Sequence, residues 1–202
     1  MIKRVGITGG IGSGKSHICR EMGYRFAVPI YYSDIKGREL MEHDSELRRK
    51  IINEFGGDSY EFELGHFVLN KPKFVELLFK DESARKKMNS FVHPTVRNDF
   101  YTWCKHFPDW INYVLFESAI LFDSEDRVET DFNILVVADL DIRIKRVQER
   151  NNISADEVMN RINSQTSDDY KRQFSDYIIT NNGDEKELDR QIDEVHQKIL
   201  SL

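Results

Sequence analysis

With only two cysteines in 202 residues, Cys19 and Cys104, the chain has no disulfide framework and no pair spaced to hold a metal. Small buried thiols in a reducing compartment are the expectation. Long apolar runs are missing as well. The stretch 134–138 is among the longest, far short of the roughly 20 residues that span a bilayer. The N-terminus reads as the start of a strand, without a signal-peptide pattern, so a cytoplasmic protein is expected. There is no excess of basic charge either: 29 Lys and Arg stand against 35 Asp and Glu, interspersed, for a net charge of -6. That balance argues against general binding to nucleic acid or anionic membrane, and any anionic ligand has to be met by a local cluster. Four prolines and eleven glycines, beside 40% apolar residues, describe a folded chain rather than a disordered one. Its length suits one core, or one core with a sizeable insertion.

Residues 2–8 form a short apolar run that stops at a glycine cluster, and residues 15–26 can then form a helix. Residues 28–32 read as a second strand, with Pro29 near its start and Ser33-Asp34 as an N-cap pair behind it. From 35 to 104 the pattern is almost entirely helical, punctuated at Gly56-Gly57, Asn70-Lys71-Pro72 and His93-Pro94, and no strand is expected to interrupt it. Residues 113–116 and 132–138 are continuous apolar runs of strand length, suited to a parallel sheet covered on both faces. A helix over 141–150 follows. Ser154 and Glu157 form a capping-box signature for another, residues 177–180 read as a last strand, and 185–202 as an amphipathic helix. The alternation predicts an α/β fold with a parallel sheet and a helical insertion after the second strand, and ligands in such folds sit at the carboxyl ends of the strands.

The segment Gly9-Gly10-Ile11-Gly12-Ser13-Gly14-Lys15-Ser16 satisfies the full phosphate-loop pattern and lies between a predicted strand and a predicted helix. Its glycines let backbone N–H groups wrap a phosphate, Lys15 can reach the outer phosphates, Ser16 can ligate Mg²⁺, and His17 follows in the helix facing the same anion. Gly10, Ile11, Gly12, Ser13 and Gly14 complete this nucleotide cradle. A kinase also needs a carboxylate to orient and deprotonate an acceptor hydroxyl. Asp34, at the end of the next strand, suits that task or simple helix capping. Arg143, Arg146 and Arg150 share one helix face, either to hold phosphate oxygens or as solvated charge. Arg161 lies in residues 151–173, a stretch suited to a mobile lid over ATP. His93 with Arg97 one turn later, and Asp123 after the third strand, are open between ligand contact, packing and capping.

In this order the pieces resemble the dephospho-coenzyme A kinase family over essentially the whole chain. The resemblance rests on Val5 through Ser16, on Tyr32-Ser33-Asp34 with Arg38, on His93-Pro94-Thr95-Val96-Arg97, on the basic helix from Ile144 through Arg150, and on Asp176 through Gly183. It implies a P-loop kinase with a five-stranded parallel sheet flanked by helices, a helical CoA-binding insertion and a lid. The nucleotide-binding core would occupy about 1–34, 105–150 and 174–202, the insertion about 35–104 and the lid about 151–173. It implies transfer of the γ-phosphate of ATP to the ribose 3′-hydroxyl of dephospho-CoA, the final step of coenzyme A synthesis, with Mg²⁺ on Ser16. Asp34 would be the general base, and Lys15 and Arg146 the transition-state cations. Asn181 would lie in the Asn-Gly turn at which the family contacts adenine, and Arg38, His93, Arg97, Asp123 and Arg161 would contribute to substrate binding. ATP and dephospho-CoA are then the partners, with no nucleic acid and no membrane, for a monomer or small homo-oligomer. Three positions depart from the pattern: Tyr32 replaces the first acid, His17 a threonine, and Asp123 a glutamate. The alternatives are another small-molecule kinase, of nucleoside monophosphate or shikimate type, and an NTP-dependent switch. A GTPase is disfavoured by the lack of an Asn-Lys-x-Asp motif and of an Asp-x-x-Gly after residues 113–116.

Overall fold

The computed structural model describes residues 2–123 and 127–202. In chain order it begins with β1 (Lys3–Thr8), α1 (Lys15–Phe26), β2 (Ile30–Tyr32), α2 (Ser33–His43) and α3 (Ser45–Phe55). Next come β3 (Tyr60–Glu63), β4 (His66–Leu69), α4 (Lys71–Lys80), α5 (Glu82–Cys104), β5 (Tyr113–Glu117) and β6 (Phe132–Val137). The last elements are α6 (Leu140–Asn151), α7 (Ala155–Asn163), α8 (Asp168–Arg172), β7 (Tyr177–Thr180) and α9 (Glu185–Leu200). The chain divides into two compact units, Met1–Tyr32 with His106–Leu202, and Ser33–Lys105. Among the described residues no helix is long and apolar enough to cross a membrane.

The larger unit is a five-stranded sheet in the order β2-β5-β1-β6-β7, every pairing parallel. Its strands are apolar on both faces because both are covered, the expected signature of a parallel sheet. Val5, Ile7, Leu115, Ile134, Val136 and Ile179 pack with Ile18, Cys19 and Met22 of α1 and with Ile192, Val195 and Ile199 of α9. Most of these side chains are fully removed from solvent, and each buried aliphatic contributes roughly 1.5–3 kcal/mol. Pro29 precedes β2 at the sheet edge, where a missing N–H costs no ladder bond. Cys19 and Cys104 are buried and form no disulfide. Burial pushes the Cys19 thiol up, as for a packing residue.

At the foot of this unit the rings of Phe26 and His196 stack with centroids 3.7 Å apart, and His196 Nδ1 lies 2.8 Å from Tyr113 Oη. Burial holds the imidazole below its ordinary value of 6.5, with Arg25 adding to the effect and Asp193 opposing it. The folded chain therefore takes up this proton less readily than the unfolded chain. The stability it confers is complete above about pH 6.5 and is lost as pH falls below that value. Urea unfolding midpoints at about pH 8 and pH 5 are expected to differ less for His196→Phe than for the unmodified protein, and an unchanged difference would exclude this titration.

In the smaller unit, Leu47 and Ile51 of α3, Tyr60, Phe74 of α4 and Met88 of α5 form a second core. The expectation of an uninterrupted helical insertion fails at β3 and β4, which pair as an antiparallel hairpin. The alternation Tyr60-Glu61-Phe62-Glu63 and a turn at Leu64-Gly65, with φ of 48° and 89°, are period-2 and hairpin signals. Asn70-Lys71-Pro72 is a helix start rather than a break, since Asn70 caps α4 with Pro72 in its first turn. Likewise, α5 runs through His93-Pro94 without interruption. The proline deprives one carbonyl of its N–H partner, but the buried residues Ala84, Met88, Val96, Phe100 and Cys104 continue on both sides of it. Thr95 Oγ1 donates to Phe91 O at 2.9 Å beside it. Packing along the whole helix thus overrides the local defect. α2 lies close to this stretch at Gly37, where a Cβ would stand 3.6 Å from both Val92 and Val96.

Candidate active site

Between β1 and α1 the phosphate loop closes on itself, with Ser13 N–H donating to Gly10 O at 3.1 Å. Gly12 and Gly14 have φ of 80° and 96°, a region that L side chains rarely adopt. Neighbours enforce the same choice. A Cβ on Gly12 would lie 2.6 Å from Arg143 O, and one on Gly14 2.1 Å from Asn181 Nδ2. Asp44, Asn70, Asp81, Ser154, Ser167 and Asp184 each cap a helix with a side-chain oxygen. α1 starts at Gly14 with no side-chain cap and no acidic residue in its first turn. Its first N–H groups and its positive dipole end are therefore left to an anion from outside.

Two side chains of the motif converge on one carboxylate. Lys15 Nζ lies 3.5 Å from Glu117 Oε1, and Ser16 Oγ donates to the same oxygen at 3.4 Å. Glu117 is the last residue of β5, in register with Ile7 of β1 and Tyr32 of β2, and it is 6% exposed. The sequence reading ended that strand at 116 and passed over it. Its signal was an acid closing an apolar strand at the carboxyl edge of the sheet.

Arg143 and Arg146 are not solvated charge. Buried Arg143 donates through Nε to Ile11 O at 2.9 Å and through Nη1 to Asp168 Oδ2 at 3.2 Å. Arg146 Nη1 donates to Asn181 O at 3.0 Å and to Gly12 O at 3.4 Å, while its Nη2 donates to Asn181 Oδ1 at 3.2 Å. Buried Asn181 donates to Ser13 O at 2.9 Å. The amide that the sequence offered as a nucleotide contact is occupied with the loop backbone. Arg150 is exposed and bonds Asn151, so two of the three arginines on the predicted face meet the phosphate loop. From the stretch beyond α7, Gln165 Oε1 accepts from Ile11 N–H at 2.8 Å, a contact the sequence did not suggest.

The remaining candidates are spread more widely. His17 is exposed in the first turn of α1 and donates its N–H to Gly14 O. Asp123 is exposed in the turn after β5, its N–H donating to Ile120 O at 3.1 Å. Arg161 is exposed on α7, where Glu157 senses its charge. Asp34 is the second residue of α2 and is exposed. Helix geometry already begins at Ser33, so the expected Ser33-Asp34 cap pair does not form, and among the described hydrogen bonds Asp34 accepts none from a helix N–H. The smaller unit carries Asp34 and Arg38 on α2, and His93 and Arg97 one turn apart on α5, the two helices meeting at Gly37.

A loop shaped for phosphate with a paired lysine and serine fits many nucleotide enzymes, and sequence comparison narrows it. The sequence model of the dephospho-CoA kinase family matches residues 3–187. The chain belongs to that family. Its members are ATP-dependent kinases, so this chain is a phosphotransferase with the P-loop kinase fold. It is 35% identical to a dephospho-CoA kinase of Bacteroides fragilis, across 100% of this chain and 97% of that protein. Among solved structures it resembles one from Thermus thermophilus, with a TM-score of 0.78 at 25% identity over 98% of this chain and 97% of that one. A dephospho-CoA kinase from Campylobacter jejuni shares the fold with a TM-score of 0.68 at 19% identity, covering 100% and 98% of the two chains.

Proposed function

We propose that this chain transfers the γ-phosphate of ATP to the ribose 3′-hydroxyl of dephospho-CoA, giving coenzyme A and ADP. The observation that carries the reading is the family match together with an intact phosphate loop whose Lys15 and Ser16 meet Glu117 at the carboxyl edge of the sheet. The loop N–H groups and the start of α1 bind the β-phosphate, and Lys15 turns from Glu117 to the outer phosphate oxygens. Arg143, Arg146 and Asn181 hold the loop in shape, so that its donors need no rearrangement when ATP arrives. Asp34 accepts the proton of the attacking hydroxyl. Arg38, His93 and Arg97 contact the acceptor from the insertion, about residues 35–104, while residues 151–173 form the lid.

Ser16 Oγ and Glu117 Oε1 are hard oxygens 3.4 Å apart. That donor set suits Mg²⁺, which takes one or two protein oxygens and completes its shell with phosphate and water. When bound, the ion neutralises charge on the β- and γ-phosphate oxygens. Purified protein given ATP, Mg²⁺ and a panel of acceptors is expected to release ADP with dephospho-CoA and to yield a product heavier by one phosphoryl group. Turnover with shikimate or a nucleoside monophosphate, and none with dephospho-CoA, would reject the acceptor.

A further inference from the structure

Lys171 on α8 is wholly buried, yet among the described residues its Nζ has no hydrogen-bond partner. Such an arrangement is costly. A desolvated ammonium ordinarily finds a carboxylate, a carbonyl or a water, or else gives up its proton. Asp123 and Asp168 are within electrostatic reach of it, as are the cations Lys15 and Arg143. Among the described residues neither acid comes within ion-pair distance, and Asp168 is already bonded to Arg143. Burial and the two neighbouring cations lower the Lys171 pKa, against the two acids. Three other cations near the loop are engaged: Arg143 and Arg146 hold the loop, and Lys15 meets Glu117.

The stretch that carries Lys171 is anchored to the phosphate loop at two points, Gln165 to Ile11 and Asp168 to Arg143. Its ammonium is within electrostatic reach of Lys15 and of the loop-holding Arg143, and among the described residues no hydrogen bond uses its three N–H donors. A group that brings several anionic oxygens into this space completes it. We propose that Lys171 is a further catalytic residue, binding the γ-phosphoryl oxygens of ATP and remaining on them as the group is transferred. This inference rests on the kinase reading above. In the transfer, the bond from the γ-phosphorus to the β,γ-bridging oxygen breaks and a bond to the acceptor oxygen forms. The acceptor proton passes to Asp34, and Lys171 keeps all three of its own. Its charge offsets that of the three equatorial oxygens, where it concentrates during transfer.

The test is Lys171→Met, an apolar replacement of similar length, with Lys171→Gln measured in the same way should the first be insoluble. Calorimetric titration with Mg²⁺ and either ADP or a non-hydrolysable ATP analogue reads the γ-phosphate contact without any acceptor. The analogue is expected to bind about tenfold more weakly while ADP affinity stays within about twofold, and kcat with dephospho-CoA is expected to fall by roughly 10–100-fold. The melting temperature is expected to hold or rise, since an unpartnered buried charge has been removed. Analogue affinity and kcat both within about twofold of the unmodified protein, or equal losses for ADP and analogue, would overturn the assignment. Should the unmodified protein fail to use dephospho-CoA, the acceptor reading falls alone, because the two titrations still decide on Lys171.

Discussion

Asp34→Asn is expected to leave the binding of ATP unchanged and to slow transfer to dephospho-CoA by about 10²–10⁴-fold, the usual worth of a positioned general base. The substitution keeps the shape of the side chain and its capacity to accept a hydrogen bond, so the acceptor hydroxyl can still be oriented. What it removes is the ability to take the proton. The loss therefore falls on kcat, with the ATP Kd and KM held by a phosphate loop to which Asp34 contributes nothing. A capping role predicts the reverse. Asp34 is exposed, lies inside the first turn of α2, and accepts no hydrogen bond from a helix N–H among the described bonds. Its replacement should thus change stability by no more than about 0.5 kcal/mol. Steady-state kinetics and thermal melts on the same preparation separate the two. A lowered melting temperature with kcat intact would make Asp34 a structural residue.

Most of the sheet was legible in the sequence because its strands are short, apolar on both faces and bounded by glycine or polar caps. The helix over 15–26 and the strand over 177–180 fall at their observed limits for that reason. The insertion was read less well. Hairpin residues 60–69 sit between stretches with helical periodicity, and with Phe62, Leu64 and Phe67 exposed their short alternation is a weaker signal than the helical pattern on either side. Pro94 misled in the opposite sense, because a propensity rule reports a local cost and not the packing of a 23-residue helix.

At the site, motif residues were legible and their partners were not. The spacing of Arg143 and Arg146 places them on one face, but only the fold shows that this face meets Ile11, Gly12 and Asn181. Glu117 escaped because it pairs with groups remote in sequence, and Lys171 because only the fold buries it. Lys171 also sits in the run Asp168-Asp169-Tyr170-Lys171-Arg172, whose composition reads as a solvated surface.

The second large effect concerns Lys15. Lys15→Met is expected to reduce kcat by at least about 10²–10³-fold, the measured order for loss of one donor to developing charge. It also carries a cost that the motif alone would not foretell. The side chains of Lys15 and Glu117 are 13% and 8% exposed, so the substitution withdraws a partly buried ammonium from a buried carboxylate. Breaking such a pair typically costs about 3–5 kcal/mol. The lower end applies here, because Ser16 Oγ continues to donate to the same Glu117 oxygen. A denaturation midpoint would register that loss, and a kinetic defect could then be mistaken for partial unfolding. The double variant Lys15→Met with Glu117→Gln resolves the ambiguity. Neutralising the carboxylate removes the charge that Lys15 had compensated, so stability is expected to return to within about 1 kcal/mol of the unmodified protein. Activity is expected to stay lost, because the cation for the outer phosphates is still missing. A double variant that regains turnover along with stability would show that Lys15 serves the fold and not the phosphate. One that regains neither would show that Glu117 acts on the nucleotide site through more than its charge on Lys15.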